Sequence, residues 1–185
     1  TLKKIQRWIL DEILSHISVS KYAKADVPGQ GIKGNARFHR CQSKVLSIDL
    51  KDFFGSIKST EVYIVFRSIG YSKAVSSMLT HLCCLNNKLP QGSPTSPALS
   101  NLVMRRFDTR IGAFAYKNSI RYTRYADDMT FSGSFDPGMI IRFLEKILSK
   151  SGFAINHKKT RVRTSAQRQE VSGIVVNEKM QVPKE

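Results

Sequence analysis

Two adjacent carboxylates, Asp127 and Asp128, stand between two strand-like runs, residues 120–125 and 129–132. Aromatic and β-branched residues on either side of a short acidic centre predict a β-hairpin with Asp-Asp at its tip. Crowded carboxylates repel one another, so a fold that keeps such a pair needs something positive between them. Divalent Mg²⁺ or Mn²⁺ suits these hard oxygen ligands. A lone Asp-Asp reads more simply as a solvated turn, so its company decides.

That company is the stretch from Ser47 to Phe54. Val45, Leu46, Ile48 and Leu50 form an apolar run that predicts a buried strand over 44–50. Asp49 lies inside the run, where an unpaired charge is costly. A third carboxylate at the end of this strand, lying beside the hairpin, would complete a cage for two ions about 4 Å apart, the spacing of two-metal phosphoryl-transfer sites. The other reading of Asp49 is a strand-end acid paired with Lys or Arg. With 30 basic residues in the chain, both readings stay open at this point.

Charge narrows the partner. Lys and Arg number 30 against 14 Asp and Glu, a formal charge of +16 on 185 residues. Such an excess points to a polyanion, and nucleic acid supplies one through its phosphates. A membrane surface ranks well below, because no basic amphipathic helix with a clean apolar face stands out. The hydrophobic share of 41% is enough for a core. Three cysteines, Cys41, Cys83 and Cys84, with no C-x-x-C, argue against a disulfide framework or zinc site and favour a reducing, cytoplasmic setting. His16, His39, His81 and His157 are too scattered for a metal cluster. No stretch approaches a membrane span and no signal peptide is visible. The chain starts at Thr1 directly in a helical pattern, so a fragment of a longer polypeptide is expected.

Periodicity predicts helices over 3–16, 32–41, 60–69, 72–86, 98–117 and 137–150. In the first, Ile5, Trp8, Ile9, Ile13 and Leu14 form the apolar face. Strands are predicted at 44–50, in the hairpin, and at 153–156, 160–164, 171–177 and 179–183. Breakers mark loops at 28–31 and 89–97. Helices interspersed with mainly antiparallel strands give an α+β class.

The order of these pieces resembles a reverse transcriptase. A strand with Asp49 is followed by Phe54, then by Pro90-Gln91-Gly92-Ser93-Pro94-Thr95-Ser96-Pro97, then by Tyr125-Ala126-Asp127-Asp128. The segment Gly152-Phe153…Asn156-His157-Lys158-Lys159-Thr160 resembles the next motif. Within the family the chain is most similar to the bacterial retron type. Asn35-Ala36-Arg37-Phe38-His39 matches the retron Asn-Ala-x-x-His signature, and Val171-Ser172-Gly173 matches Val-Thr-Gly with Ser for Thr. The resemblance implies a right-hand polymerase palm, its antiparallel sheet packed on helices, with part of the fingers. Residues 1–43 and 56–97 would form the fingers and palm connection, and 44–55 with 98–185 the palm of a single domain. The thumb is absent and expected beyond Glu185; basic residues of the early fingers are expected before Thr1. Whether this fragment is active alone is open.

The resemblance also implies roles. Asp49 and Asp127 would bridge two Mg²⁺ (or Mn²⁺) ions, with Asp128 as secondary ligand and the Leu50 carbonyl completing a shell. Backbone amides near Asp52 and Phe53 would meet the triphosphate, and Gln91 a sugar or base. Phe54 would be the steric gate against a 2′-hydroxyl, and Lys159 a proton donor to pyrophosphate. Without the family match, Phe54 reads as core packing and Lys159 as a solvated lysine. Arg37 and His39 are open between RNA contact and a local cap, and Tyr125 is expected to support the hairpin. Implied partners are an RNA template, a DNA or RNA primer, deoxynucleoside triphosphates, a noncoding RNA and an effector protein in antiphage defence. Two alternatives stand beside this: another bacterial reverse transcriptase, of group II intron or abortive-infection type, and a non-catalytic RNA-binding palm scaffold.

Overall fold

The computed structural model describes residues 1–181. In chain order the elements are α1 (Leu2–Glu12), a 3₁₀ turn (Leu14–His16), α2 (Ile32–Phe38), β1 (Lys44–Asp49), α3 (Phe53–Ser56), α4 (Ser59–Ile69), α5 (Lys73–Cys83) and α6 (Ser96–Lys117). They continue with β2 (Arg121–Tyr125), β3 (Asp128–Gly133), α7 (Pro137–Leu148), a second 3₁₀ turn (Ser149–Ser151), β4 (Arg161–Thr164), β5 (Glu170–Val171) and β6 (Ile174–Val175). The chain divides into two compact units, Thr1–Ser20 with Asp52–Arg106, and Lys21–Lys51 with Phe107 onward.

The first unit is helical. Of the apolar face predicted for α1, Ile9 and Leu14 are buried, whereas Ile5 and Trp8 are exposed. The helix ends at Glu12 and the chain tightens into a 3₁₀ turn, so Leu14 reaches the core from outside the α-helical repeat. Helices α4 and α5 pair around Gly70, whose φ of 111° closes α4 in a conformation open to glycine. Ser72 caps α5 by accepting from the Val75 amide at 3.3 Å. The Pro-Gln-Gly loop enters α6 two residues earlier than predicted. The Ser96 hydroxyl donates to the Pro90 carbonyl at 2.6 Å and draws Ser96 into the first turn.

The second unit is built on a four-stranded antiparallel sheet in the order β2-β3-β1-β4. Side chains alternate across a strand, and the two faces are chemically different. One carries Tyr122, Met129, Phe131, Leu46 and Ile48, all buried. Tyr122 stacks on Phe131 with centroids 4.9 Å apart. The other face carries Thr123, Thr130, Ser132 and Val45, and there α2 and the β5–β6 hairpin pack. Ala36, Val45, Val171 and Val176 form their shared apolar cluster.

Two expected strands differ. Residues 153–156 make a single bridge, Ile155 with Leu50, just past the end of β1. The chain then turns at Asn156, whose carbonyl takes the Lys159 and Thr160 amides. Residues 171–177 split into β5 and β6 about a two-residue turn. Ser172 (φ 50°) and Gly173 (φ 77°) are both left-handed, as a hairpin turn that follows the sheet twist requires. Of the strand expected at 179–183, Gln181 bridges Val175, and residues 182–183 lie outside the described residues.

The two short signatures meet in a buried polar network. Asn35 Nδ2 donates to Ser172 Oγ at 3.1 Å. Asn35 Oδ1 accepts from Thr123 Oγ1 at 2.6 Å. That uses the threonine's one proton, so His39 Nε2–H donates to Thr123 Oγ1 at 2.7 Å. His39 Nδ1 then accepts from Ser132 Oγ at 2.7 Å. Asn35 and His39 are fully buried. His39 therefore neither contacts RNA nor caps its own turn; it ties α2 to β2 and β3. Arg37 is exposed.

Burial, with the nearby charges of Arg121 and Lys24, lowers the His39 pKa to about 3. The unfolded chain takes up a proton near its ordinary value while the folded chain does not, so stability is full above that value and falls as pH drops toward 3. The expected slope is about 1.4 kcal/mol per pH unit below roughly 6.5. Urea denaturation at pH 7, 6 and 5 should show it, and the difference from His39→Gln, which lacks the titrating ring, should isolate it.

Candidate active site

The register of β1 against β3 sets Asp49 directly opposite Asp128. Cross-strand partners on one face stand about 5 Å apart at Cβ, and like charges there are destabilising. Asp127 is next to Asp128 in the turn, and its carbonyl accepts from the Leu50 amide at 3.2 Å. Asp49, far along the chain from the other two, thus joins Asp127 and Asp128 at one end of the sheet. The turn differs in detail from the expected tip. Ala126 and Asp127 form it, and Asp128 already belongs to β3, paired with Tyr125 on one side and Asp49 on the other.

Asp49 is 9% exposed and tightly held. Asn156 Nδ2 donates to its Oδ1 at 2.8 Å, and Lys159 Nζ reaches Oδ2 at 3.2 Å. The Asn156 amide also donates to the Asp49 carbonyl at 2.8 Å. Partial burial, then the Asp127 and Asp49 charges, push the Asp128 carboxyl up to about 6, against the opposing pull of Lys159. The cluster carries more negative charge than its neighbours neutralise.

Among the described residues, no group of three His, Cys, Asp or Glu side chains is arranged as a ready metal cage. The donor chemistry nonetheless fits a divalent ion. The oxygens are hard carboxylates, partial burial and then the neighbouring Asp127 and Asp49 charges raise Asp128, and the cation that Asp49 holds is the ammonium of Lys159. Asp49, Asp127 and Asp128 are the residues that would hold such ions.

The turn is fixed from beneath by a pair that sequence reasoning missed. Arg124 and Asp108 are both buried, with side chains 0% exposed, and Arg124 Nη2 meets Asp108 Oδ2 at 2.8 Å. Arg124 Nε donates to Oδ1 at 2.9 Å, and Tyr122 Oη donates to the same oxygen at 2.8 Å. Burial alone would lower the Arg124 guanidinium, but the Asp108 charge beside it holds it above its ordinary value. Arg124 Nη1 donates to the Ala126 carbonyl at 2.9 Å. Ala126 is left-handed, φ 55°, a conformation that costs a non-glycine residue about 1 kcal/mol. The guanidinium bond is what secures it. The signal lay in helical phase. Asp108 falls in line with Met104, Ile111 and Ala115, all buried, so a charge there needs a partner. Arg124 follows Tyr122 by two on the inward face. Asn156 lay within a noted motif, but nothing in the sequence tied it to Asp49.

The other expected residues belong to the first unit. Asp52 is left-handed, φ 40°, and precedes the short α3. Its carboxylate lies where a Cβ at position 55 would stand, which Gly55 leaves open. Phe53 is buried, Phe54 half-buried, and their rings meet at 5.3 Å. Gln91 is exposed, beside Gly92 at φ 79°. In the second unit, Lys159 is 66% exposed at the side chain, and the amide of Lys51 donates to the Ala154 carbonyl.

An antiparallel sheet that gathers three acidic side chains at one end, within a strongly basic chain, is the architecture of a polymerase palm. The chain belongs to the reverse transcriptase (RNA-dependent DNA polymerase) family, whose profile matches residues 1–176. It is 39% identical over 179 residues to the retron Ec86 reverse transcriptase of Escherichia coli, covering 96% of this chain and 56% of that protein. It is 35% identical to the retron Mx65 reverse transcriptase of Myxococcus xanthus, covering 95% and 46%. The chain thus spans about half the length of the curated relatives it matches. In fold it is similar to telomerase from Candida albicans, solved with a TWJ fragment of telomeric RNA, with a TM-score of 0.65 at 11% identity over 98% of this chain and 38% of that one. A truncated apo telomerase from Candida tropicalis gives 0.66 at 11% identity, covering 98% and 44%.

Replacing Asp108 with Asn keeps the shape but leaves the Arg124 charge buried without its counter-ion. Asp108→Asn should therefore destabilise the protein by about 3–5 kcal/mol, and Asp108→Leu with Arg124→Met together should restore much of that. Urea midpoints of the single and double variants measure both.

Proposed function

We propose that this chain is the catalytic palm, with part of the fingers, of a retron-type RNA-directed DNA polymerase. The observation that carries this is the register placing Asp49 opposite Asp128 with Asp127 in the adjoining turn. The similarity to retron reverse transcriptases and the buried link between Asn35 and Ser172 support the subtype. Residues 44–55 and 98–185 are read as the palm.

The reaction is attack of a primer 3′-hydroxyl on the α-phosphorus of a deoxynucleoside triphosphate. The new P–O bond forms as the α–β bond breaks and pyrophosphate leaves. Asp49, Asp127 and Asp128, with the Leu50 carbonyl, would hold two Mg²⁺ or Mn²⁺ ions. When bound, such ions acidify the attacking hydroxyl and neutralise charge on the phosphates. Asn156 keeps the Asp49 carboxylate oriented. Lys159, on a solvent-facing side chain beside Asp49, gives a proton to the leaving pyrophosphate. Amides near Asp52 and Phe53 meet the triphosphate, Gln91 a sugar or base, and the Phe54 ring excludes a 2′-hydroxyl. The template is RNA and the primer DNA or RNA. In the whole protein a noncoding RNA and an effector protein are the partners, in a cytoplasmic defence against phage. The free thiols of Cys41, Cys83 and Cys84 are consistent with that compartment.

In the full-length enzyme, Asp127→Asn should abolish Mg²⁺-dependent incorporation on an RNA template while leaving the fold intact by circular dichroism. Retained incorporation would refute its role. Phe54→Ala should raise use of ribonucleotides relative to deoxynucleotides, read as the ratio of kcat/KM values; an unchanged ratio would remove the gate.

A further inference from the structure

A cationic surface lies in the sheet-bearing unit, away from the three carboxylates. One side of α2 (Gly34 and Phe38), the end of α6, the start of β2 and the segment at Lys21 enclose a cavity of about 840 Å³. Lys21, Lys24, Lys117 and Arg121 line it, and no Asp or Glu does. Four cations with no carboxylate among them are a poor arrangement for a surface facing only water, and a good one for a polyanion. Burial lowers the Lys24 pKa, so that ammonium is already partly stripped of water. The field of Arg121 and Lys24 reaches inward to His39.

Of the four aromatic residues that line the cavity, Tyr22, Phe38, Tyr116 and Tyr122, two present exposed rings. Tyr116 is 86% exposed and Phe38 47% exposed, and both line the cavity. The Arg121 guanidinium lies 5.7 Å from the Phe38 ring centroid, and its Nη1 donates to the Phe38 carbonyl at 2.8 Å, so ring and charge are held together. Exposed flat rings between fixed cations match a strand whose bases are unpaired, since bases stack on the rings while phosphates meet the cations. A duplex would hide its bases and leave the rings unused. Arg121 opens β2 and Tyr125 closes it, four residues on, so Arg121 lies about 13 Å along the strand from the residue that leads into the turn bearing Asp127.

We propose that this groove binds a single-stranded segment of RNA outside the catalytic centre, with bases stacked on Tyr116 and Phe38 and phosphates on Lys21, Lys24, Lys117 and Arg121. The choice of RNA over DNA rests on the reading of the chain as an RNA-dependent polymerase. The groove itself stands on its own geometry.

The test uses the whole chain without nucleotides, so that polymerase activity does not enter. A short unstructured RNA containing 4-thiouridine is irradiated with the protein and the cross-linked peptides are sequenced. Cross-links at Tyr116 or Phe38 are expected; cross-links confined to other segments would overturn the proposal. By fluorescence anisotropy, Tyr116→Ala should weaken binding of that RNA about tenfold, the effect of losing one stacked base. Lys21→Ala with Lys117→Ala should lower the slope of log affinity against log salt by roughly 1.4. All three side chains are exposed, so the melting temperature should hold. Duplex RNA or a DNA strand of the same sequence binding as tightly would overturn the assignment. So would variants that keep RNA affinity but lose self-association in sedimentation, which would make the groove a protein-docking surface. Loss of incorporation in Asp127→Asn with these cross-links retained would bear on the polymerase reading alone.

Discussion

An antiparallel pairing that places two aspartates face to face is the constraint around which the sheet-bearing unit is organised. Asp49 and Asp128 cannot avoid one another, because the β1–β3 register is set by the apolar residues behind them, Leu46 against Phe131 and Ile48 against Met129. Slipping by one residue would relieve the carboxylates and turn that apolar row to the wrong face. The hydrophobic register therefore outweighs the local repulsion. The surrounding groups limit the damage: Lys159 and Asn156 hold Asp49, while burial and then the neighbouring carboxylates keep the Asp128 carboxyl raised. A divalent ion seated there would relieve the repulsive part of that cost.

The two faces of the sheet divide the labour. The face bearing Tyr122, Arg124, Met129 and Phe131 is largely apolar, and the buried charge of Arg124 is cancelled by Asp108 in a two-oxygen pairing. Through the Ala126 carbonyl that pairing fixes the turn. The opposite face carries hydroxyls, and there Asn35 and His39 bind Thr123, Ser132 and Ser172. Ser172 sits at a left-handed position, where a β-branched threonine would be more strained. The hydroxyl is the part of the side chain the network uses.

Much of the candidate site was legible in the sequence. Local patterning announced the hairpin and the β1 strand, since period-two alternation and turn residues act over a few positions. Other parts were not legible, because they depend on what lies across a strand or beneath it. The failed strand at 153–156 has suitable residues, but its backbone meets only the end of β1, where Ala154 and Asn156 bond Lys51 and Asp49 on either side of the Ile155–Leu50 bridge, and then turns away. The Arg124–Asp108 pairing joins residues on β2 and α6, and the sequence left His39 open between RNA contact and a local cap, because its partners Thr123 and Ser132 lie on strands far along the chain.

By itself the sequence determined the α+β class, the basic character, the acidic turn and the likeness to reverse transcriptases, because these follow from composition and short-range pattern. Only the tertiary structure decided that Asp49 faces Asp128, that Arg124 is buried under the turn, that the Asn-Ala-x-x-His and Val-Ser-Gly segments are one network, and that Tyr116 stands among unpaired-sign cations. Each of these depends on strand register or on which side of a strand or helix a residue falls, and a chain acquires those only when its elements pack.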